Sequence, residues 1–158
     1  SGTGSGKSSV FIHSLFNYCV KNFKNKGILL TQPRIALVEN KISDWELYYN
    51  DTFKLGVNFG TKTSKQENKI SYKYPSIFTC TTEIFNNMYI KDKSILERRF
   101  KYIIIDEVHE PSIEIIMALK YIKDWNLSKS KDIPYFILMS ATLDENAFTE
   151  YYGLVKKT

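Results

Sequence analysis

The first residues of the chain combine three glycines with a lysine and a serine. The run reads Gly2-Thr3-Gly4-Ser5-Gly6-Lys7-Ser8. Glycines let a backbone approach a polyphosphate closely, and the N–H groups at the start of a helix favour anions. The spacing predicts a phosphate-binding loop in which Lys7 reaches the β- and γ-phosphates and Ser8 holds Mg²⁺. A flexible linker is the alternative, but the amphipathic segment that follows directly favours the loop.

Two acidic residues are the second candidate for chemistry. Asp106 and Glu107 directly follow the apolar segment Tyr102–Ile105. Carboxylates at the carboxyl end of a parallel strand face the crevice in which ligands bind. Asp106 could hold Mg²⁺ through its water shell, and Glu107 could orient and deprotonate an attacking water. An acidic pair after a strand is more often a solvated loop, so the catalytic interpretation depends on the glycine loop as well.

The segments around these residues alternate between strand-like and helix-like patterns. Short apolar runs predict buried strands at 28–31, 77–81, 102–105 and 135–139. Helical spacing of apolar residues predicts helices at 8–24, 35–49, 84–89 and 111–125. This alternation predicts an α/β fold with a mostly parallel sheet and helices on both faces.

Shorter signals refine the element boundaries. Gly27 is expected to end the first helix, and Pro111 is expected to lie in the first turn of the fourth. The spacing of Ser94 and Glu97 is that of a capping box and predicts a short separate turn of helix. An extended piece is expected within Leu55–Phe59, and Asp144 is expected to start a last short helix.

The composition bounds the class of protein. With 158 residues and 43% hydrophobic side chains, the chain suits one globular domain. No apolar run approaches the roughly 20 residues of a membrane helix, so no membrane partner is expected. The net charge of +5 fits an anionic partner such as nucleic acid, although a solvated lysine surface would give the same charge. Cys19 and Cys80 are far apart and predict reduced, buried thiols.

The order of the motifs resembles that of the DExH/DEAH-box helicases. Five segments resemble the family's motifs I, Ia, Ib, II and III, in this order: the glycine loop, Thr31–Arg34, Thr82-Glu83, Asp106–Glu110 and Ser140-Ala141-Thr142. Residues 33–38 and Val108 are most similar to the viral branch of RNA helicases represented by the poxvirus nucleoside triphosphate phosphohydrolase II. The resemblance covers nearly the whole chain and implies a RecA-like domain with a P-loop NTPase site.

The resemblance also implies cofactors and residue roles. ATP, or another nucleoside triphosphate, and Mg²⁺ would be bound. Lys7, Asp106 and Glu107 would be catalytic, whereas Ser8 and Asp106 would hold the metal, Asp106 through water. Coupling of the nucleotide site to strand movement would involve His109, Ser140 and Thr142. The nucleic-acid track would include Thr31, Pro33, Arg34 and Thr82.

The implied partner is RNA, along which Arg34 would contact phosphate without reading sequence. A helicase or translocase acting on DNA uses the same motifs and is one alternative. A helicase remnant that binds nucleic acid without hydrolysis is another, although such a remnant would not need Lys7, Asp106 and Glu107.

The ends of the chain look like cuts. Ser1 directly precedes the loop, where a strand is expected, and occupies the place of the usual glycine or alanine. We therefore expect residues 1–158 to be a helicase ATP-binding domain truncated at both ends. A second RecA-like domain of the same polypeptide would supply an arginine finger. The expected location is intracellular, and the resemblance to the viral branch implies a virus particle or the cytoplasm of an infected cell.

Overall fold

The computed structural model describes residues 5–23, 25–49, 58–62 and 76–140. Helices and strands alternate through most of these ranges. In chain order the elements are α1 (Ser5–Asn22), β1 (Gly27–Gln32), α2 (Ile35–Tyr49), β2 (Asn58–Lys62), β3 (Ser76–Thr81), α3 (Thr82–Arg99), β4 (Phe100–Ile105), α4 (Ile113–Leu127) and β5 (Tyr135–Leu138).

The five strands form one sheet in the order β2-β3-β1-β4-β5. Every pair of neighbouring strands is parallel. In the middle of the sheet, Leu30 of β1 lies opposite Thr79 of β3 on one side and Ile104 of β4 on the other. The parallel sheet predicted from the sequence is therefore confirmed, and the carboxyl ends of its strands share one edge.

The central strands are buried on both faces because successive side chains of a strand point to opposite sides. On one face, Leu29 and Ile103 pack against α3 and α4, which contribute Phe85 and Trp125. On the other face, the strands contribute Ile28, Leu30 and Ile104, and the helices α1 and α2 contribute Ile12, Phe16 and Trp45. The predicted arrangement with helices on both faces is confirmed, and it explains why the strands have no polar side.

Two predicted helix boundaries were wrong. The first helix ends at Asn22, not at Gly27, which is the first residue of β1. The chain turns between them through Asn25, whose φ of 64° lies in the left-handed region that asparagine tolerates better than most residues. Pro111 lies outside α4, because Ser112 is the N-cap and its hydroxyl accepts a hydrogen bond from Ile115 N at 3.2 Å.

The capping box predicted at Ser94 was also wrong. The separate helical segment is present, because α3 consists of two helical parts joined by a kink at Asp92, where the backbone angles are not helical. The Asp92 carboxylate accepts a hydrogen bond from Ser94 N at 3.1 Å and so caps the second half of the helix. Glu97 instead accepts hydrogen bonds from Trp125 Nε1 at 2.9 Å and Ser130 Oγ at 3.0 Å, which fixes α3 against α4.

The remaining predictions concern single segments. The extended piece expected within Leu55–Phe59 overlaps β2 only from Asn58 onwards, and its earlier residues lie outside the described ranges. The helix expected from Asp144 also lies outside them. Cys19 and Cys80 are buried and in no disulfide, as predicted. Within the described part of the chain, none of the helices combines the length and apolarity that crossing a bilayer requires.

Candidate functional site

Three loops meet at the carboxyl ends of β1, β4 and β5. The backbone N–H of Asp106 donates to Thr31 O at 3.2 Å, which joins the ends of β1 and β4. Met139 N donates to Ile105 O at 2.9 Å, and Val108 N donates to Met139 O at 3.1 Å, which joins the ends of β4 and β5. We call residues 31–34, 82, 106–110 and 139–140 the motif edge, because every described motif except the glycine loop lies there.

Asp106 is held by two neutral donors. Its Oδ1 accepts a hydrogen bond from Glu107 N at 2.8 Å, and its Oδ2 accepts one from Gln32 Nε2 at 2.9 Å. Each carboxylate oxygen retains a lone pair for a further donor. Among the described residues, no cluster of three or more histidine, cysteine or acidic side chains could hold a metal. A single carboxylate suits Mg²⁺, which keeps several waters and takes its other ligands from substrate phosphates.

Glu107, His109 and Ser140 form a chain of polar contacts. Oε2 of Glu107 lies 3.1 Å from Nε2 of His109, and Nδ1 of His109 lies 2.9 Å from Oγ of Ser140. Glu107 has a φ of 58°, in the left-handed region. The structure thus brings together three residues predicted from two motifs and links the end of β4 to the residues after β5. Thr142 lies outside the described residues.

The two threonines predicted to line the nucleic-acid track are buried. Thr31 is fully buried, and its hydroxyl donates to Ile104 O at 3.3 Å. The hydroxyl of Thr82, also buried, donates to Gln32 O at 3.3 Å. Both hydroxyls thus bond to backbone carbonyls beneath the surface, where they join neighbouring strand ends.

Arg34 is the exposed member of the same segment. Its side chain is 61% exposed, and Nη1 lies 2.9 Å from Oε1 of Glu110. This ion pair connects the loop after β1 to the loop after β4. Pro33, between Arg34 and the strand, is half-buried. A cation that projects from the motif edge is suited to bind a phosphate.

Gln32 and Glu110 also belong to the site, although neither was predicted from the sequence. The available signal for Gln32 was its position directly after a buried strand, at the same edge as Asp106. For Glu110 it was a negative charge in the acidic motif that could pair with Arg34. Neither signal identifies a partner without the fold, because Gln32 and Asp106 are 74 positions apart in sequence.

The glycine loop is described only in part. Gly2, Thr3 and Gly4 lie outside the described residues, as do the side chains of Lys7 and Ser8, whereas the backbone of Ser5–Ser8 forms the first turn of α1. Phe23 directly follows the C-terminus of α1. The centroid of its ring lies 6.4 Å from that of Tyr102, which is near the amino end of β4. An 18-residue helix is about 27 Å long. Because α1 packs along the sheet, its N-terminus lies toward the motif edge.

A family model described as DEAD/DEAH box helicase matches residues 1–149. The match covers nearly the whole chain and includes all the motifs discussed above. The chain therefore belongs to the DEAD/DEAH box helicase family, as the motif order predicted.

Individual relatives agree with this family. The chain is 28% identical over 163 residues to L540 of Acanthamoeba polyphaga mimivirus, named as a candidate ATP-dependent RNA helicase. It is 28% identical over 152 residues to the human ATP-dependent RNA helicase TDRD9. These matches cover 100% and 96% of this chain but only 22% and 10% of the relatives. The chain thus spans a small part of each.

A solved structure supports the fold. The Escherichia coli DEAH/RHA helicase HrpB superposes with a TM-score of 0.70 at 21% sequence identity. The match covers 95% of this chain and 18% of the HrpB chain. The predicted RecA-like α/β fold is therefore confirmed.

Proposed function

We propose that this chain is the ATP-binding motor domain of an RNA helicase, in which Mg²⁺-dependent ATP hydrolysis drives movement along a strand. The family and the names of L540 and TDRD9 support this class of activity. The observation that carries the proposal is the chain of contacts from Glu107 through His109 to Ser140, next to Asp106. A domain that only binds nucleic acid has no need of this arrangement.

The nucleotide binds between the glycine loop and the end of β4. In this proposal, backbone N–H groups of the glycine loop would bind the phosphates, and Lys7 would contact the β- and γ-phosphates. Ser8 and Asp106 would hold Mg²⁺, Asp106 through water. When bound, the metal neutralises charge on the phosphate oxygens. Asp106 suits this role because its two hydrogen-bond donors are neutral and leave its negative charge in place.

Glu107 orients the attacking water and accepts its proton. The contact with His109 holds one carboxylate oxygen and leaves the other for the water. Ser140 in turn holds the opposite nitrogen of the His109 ring. A shift of the residues after β5 therefore moves His109 and, through it, the general base. We propose this route, together with Thr142, as the coupling between hydrolysis and strand movement.

Arg34 is the residue that contacts nucleic-acid phosphate. Its exposure and its position on the motif edge support this role, and phosphate contacts fix the strand without reading its sequence. Pro33 fixes the backbone next to Arg34. Thr31 and Thr82 contribute from below, because their hydroxyls hold the ends of β4 and β1 in place.

The intact protein needs a second RecA-like domain to complete this site. The small share of L540 and HrpB that the chain covers is consistent with further domains. An arginine finger from a second domain contributes about 10³–10⁵-fold in related phosphoryl transfers. Residues 1–158 alone are therefore expected to hydrolyse ATP weakly. The viral relative L540 supports an intracellular place of action, in an infected cell or a virus particle.

The test is RNA-stimulated ATP hydrolysis and nucleotide binding by the full-length protein. Lys7→Ala removes a charge-assisted contact to phosphate, typically worth about 1.5–3 kcal/mol, so nucleotide affinity should fall by roughly 10–100-fold. Lys21→Ala is the matched control, because Lys21 is an exposed lysine in the last turn of the same helix. Equal affinities of the two variants would contradict the assignment of the loop.

A further inference from the structure

Gln32 is a buried polar residue that the proposed function leaves without a role. It is only 2% exposed, at the carboxyl end of β1. Its side-chain Nε2 donates to Asp106 Oδ2 at 2.9 Å, and its backbone carbonyl accepts a hydrogen bond from Thr82 at 3.3 Å. Burying an amide costs free energy unless the amide is hydrogen-bonded, and the hydrogen bond to Asp106 meets this need for Gln32.

The chemistry of the amide suits a carboxylate that must hold a cation. An arginine or lysine beside Asp106 would neutralise the carboxylate and repel Mg²⁺. A glutamine donates a hydrogen bond and carries no charge. It fixes the plane of the Asp106 carboxylate and leaves its negative charge available. Partners of this kind behind a metal-binding side chain orient it and tune its affinity.

The backbone of Gln32 belongs to the nucleic-acid side of the motif edge. Pro33 follows directly, and its ring fixes its own φ, so this link is stiffer than an ordinary peptide segment. Arg34, the proposed phosphate contact, is the next residue. Gln32 therefore touches the metal-binding carboxylate with its side chain and lies two residues from the nucleic-acid contact.

We propose that Gln32 is the positioning residue of Asp106, and that it transmits nucleic-acid binding at Arg34 to the Mg²⁺–ATP site. This inference rests on the proposed function. A displacement of residues 33–34 moves the end of β1 and the amide with it. The orientation of the Asp106 carboxylate then changes, and so does the affinity for Mg²⁺–ATP.

The test measures affinity for a fluorescent, non-hydrolysable ATP analogue in Mg²⁺ and in EDTA, with the full-length protein. Gln32→Met keeps the length of the side chain and removes its donor. The gain in affinity that Mg²⁺ provides should fall by about 10–100-fold, the usual effect of losing a partner behind a metal ligand. Affinity in EDTA should remain unchanged, which a general loss of folding would not allow.

Thr79→Val is the matched control. Among the described residues, Thr79 has a buried hydroxyl without a hydrogen-bond partner, on the strand next to β1. Its replacement should leave the Mg²⁺ gain intact. If Mg²⁺ increased the nucleotide affinity of Gln32→Met as much as that of the wild-type protein, the positioning role would be overturned. If the wild-type protein itself showed no Mg²⁺ gain, the proposed function would fail instead.

Transmission is tested by repeating the titrations with a single-stranded RNA oligonucleotide. In the wild-type protein, RNA should change the affinity for the Mg²⁺-bound analogue, and by reciprocity the analogue should change the affinity for RNA by the same factor. Gln32→Met should reduce this factor toward one while leaving RNA affinity without nucleotide unchanged. An undiminished factor in the variant would overturn the transmitting role.

Discussion

The two ends of the parallel sheet have different chemistry. At the carboxyl end, loops are joined by hydrogen bonds and ion pairs between polar side chains, such as Asp106 with Gln32. Near the amino end, aromatic rings surround an ammonium group: Lys101 Nζ lies 4.7 Å from the ring centroid of Phe23 and 5.0 Å from that of Tyr135. Tyr102 contacts both rings, at centroid distances of 6.4 and 5.6 Å.

This difference separates function from stability along the same strands. Polar groups at the carboxyl end can exchange one partner for another at small net cost, because hydrogen bonds to protein, water and ligand are similar in strength. Aromatic contacts at the amino end gain their energy from burial and ring geometry, which a small ligand cannot replace. Substitutions at the carboxyl end should therefore change turnover or ligand affinity, and substitutions at the amino end should change the free energy of unfolding.

The largest effect is expected for Glu107→Gln in the full-length protein. The amide cannot accept a proton from water, and loss of a positioned base typically costs about 10²–10⁴-fold in turnover. Nucleotide affinity and the melting temperature should change little. Steady-state phosphate release, nucleotide titration and a thermal melt check these three points. Turnover at the wild-type rate would remove Glu107 from the mechanism.

At the amino end, Phe23→Ala should affect stability instead. It removes the ring between Tyr102 and Lys101 and should lower the free energy of unfolding by on the order of 2 kcal/mol. Nucleotide affinity of the folded protein should stay unchanged. Phe11→Ala is the control, because Phe11 lies on α1, the helix that Phe23 directly follows, and is 43% exposed. Urea denaturation compares the two, and an equal loss would contradict a special role of the aromatic contacts.

Glu110→Gln should have a smaller effect, at the carboxyl end. The variant frees Arg34 from a partly exposed ion pair, a class typically worth about 0.2–1 kcal/mol. RNA affinity should therefore rise by roughly 1.5–5-fold, more at low salt than at high salt. Glu114→Gln removes the same charge from the exposed first turn of α4 and controls for overall charge. If both variants bind RNA equally well, the ion pair does not compete with phosphate.

The last expected effect is absent at neutral pH: it is a pH dependence from Cys19 that begins only above pH 9. Burial raises the pKa of its thiol from 9.0 to about 11, and Lys101 opposes this only partly. Between these values the unfolded thiol ionises while the folded one stays neutral, so the free energy of unfolding falls as pH rises. Below pH 9 this contribution is constant. Cys19→Ala should flatten the fall between pH 9 and 11 in denaturation curves, and an unchanged slope would contradict it.

The fold could be predicted largely because its strands are short apolar runs between amphipathic helices. The end of β4, with Asp106 and Glu107, was predictable for the same reason. The kink in α3 was not, because the spacing of Ser94 and Glu97 indicates a cap at Ser94, whereas the backbone bends at Asp92 and that carboxylate caps the second half of the helix.

Side-chain direction was the part of the site that the sequence could not predict. Thr31 and Arg34 belong to one motif, yet one is fully buried and the other is exposed. The direction of each side chain depends on the residue at which β1 ends and on the neighbouring strand β4 and its following loop, which Thr31 and Arg34 contact. The contacts of Gln32 and Glu110 depend in the same way on the parallel pairing of β1 and β4.

The left-handed backbone of Glu107 has a consequence for how sequences at this position can vary. For a residue with a Cβ, this conformation costs about 1–2 kcal/mol, whereas glycine adopts it freely. Glycine or asparagine would therefore give a more stable loop, but neither carries a carboxylate. A substitution of Glu107 by either residue would raise thermal stability but would remove the proposed general base. The position is one at which stability and activity oppose each other.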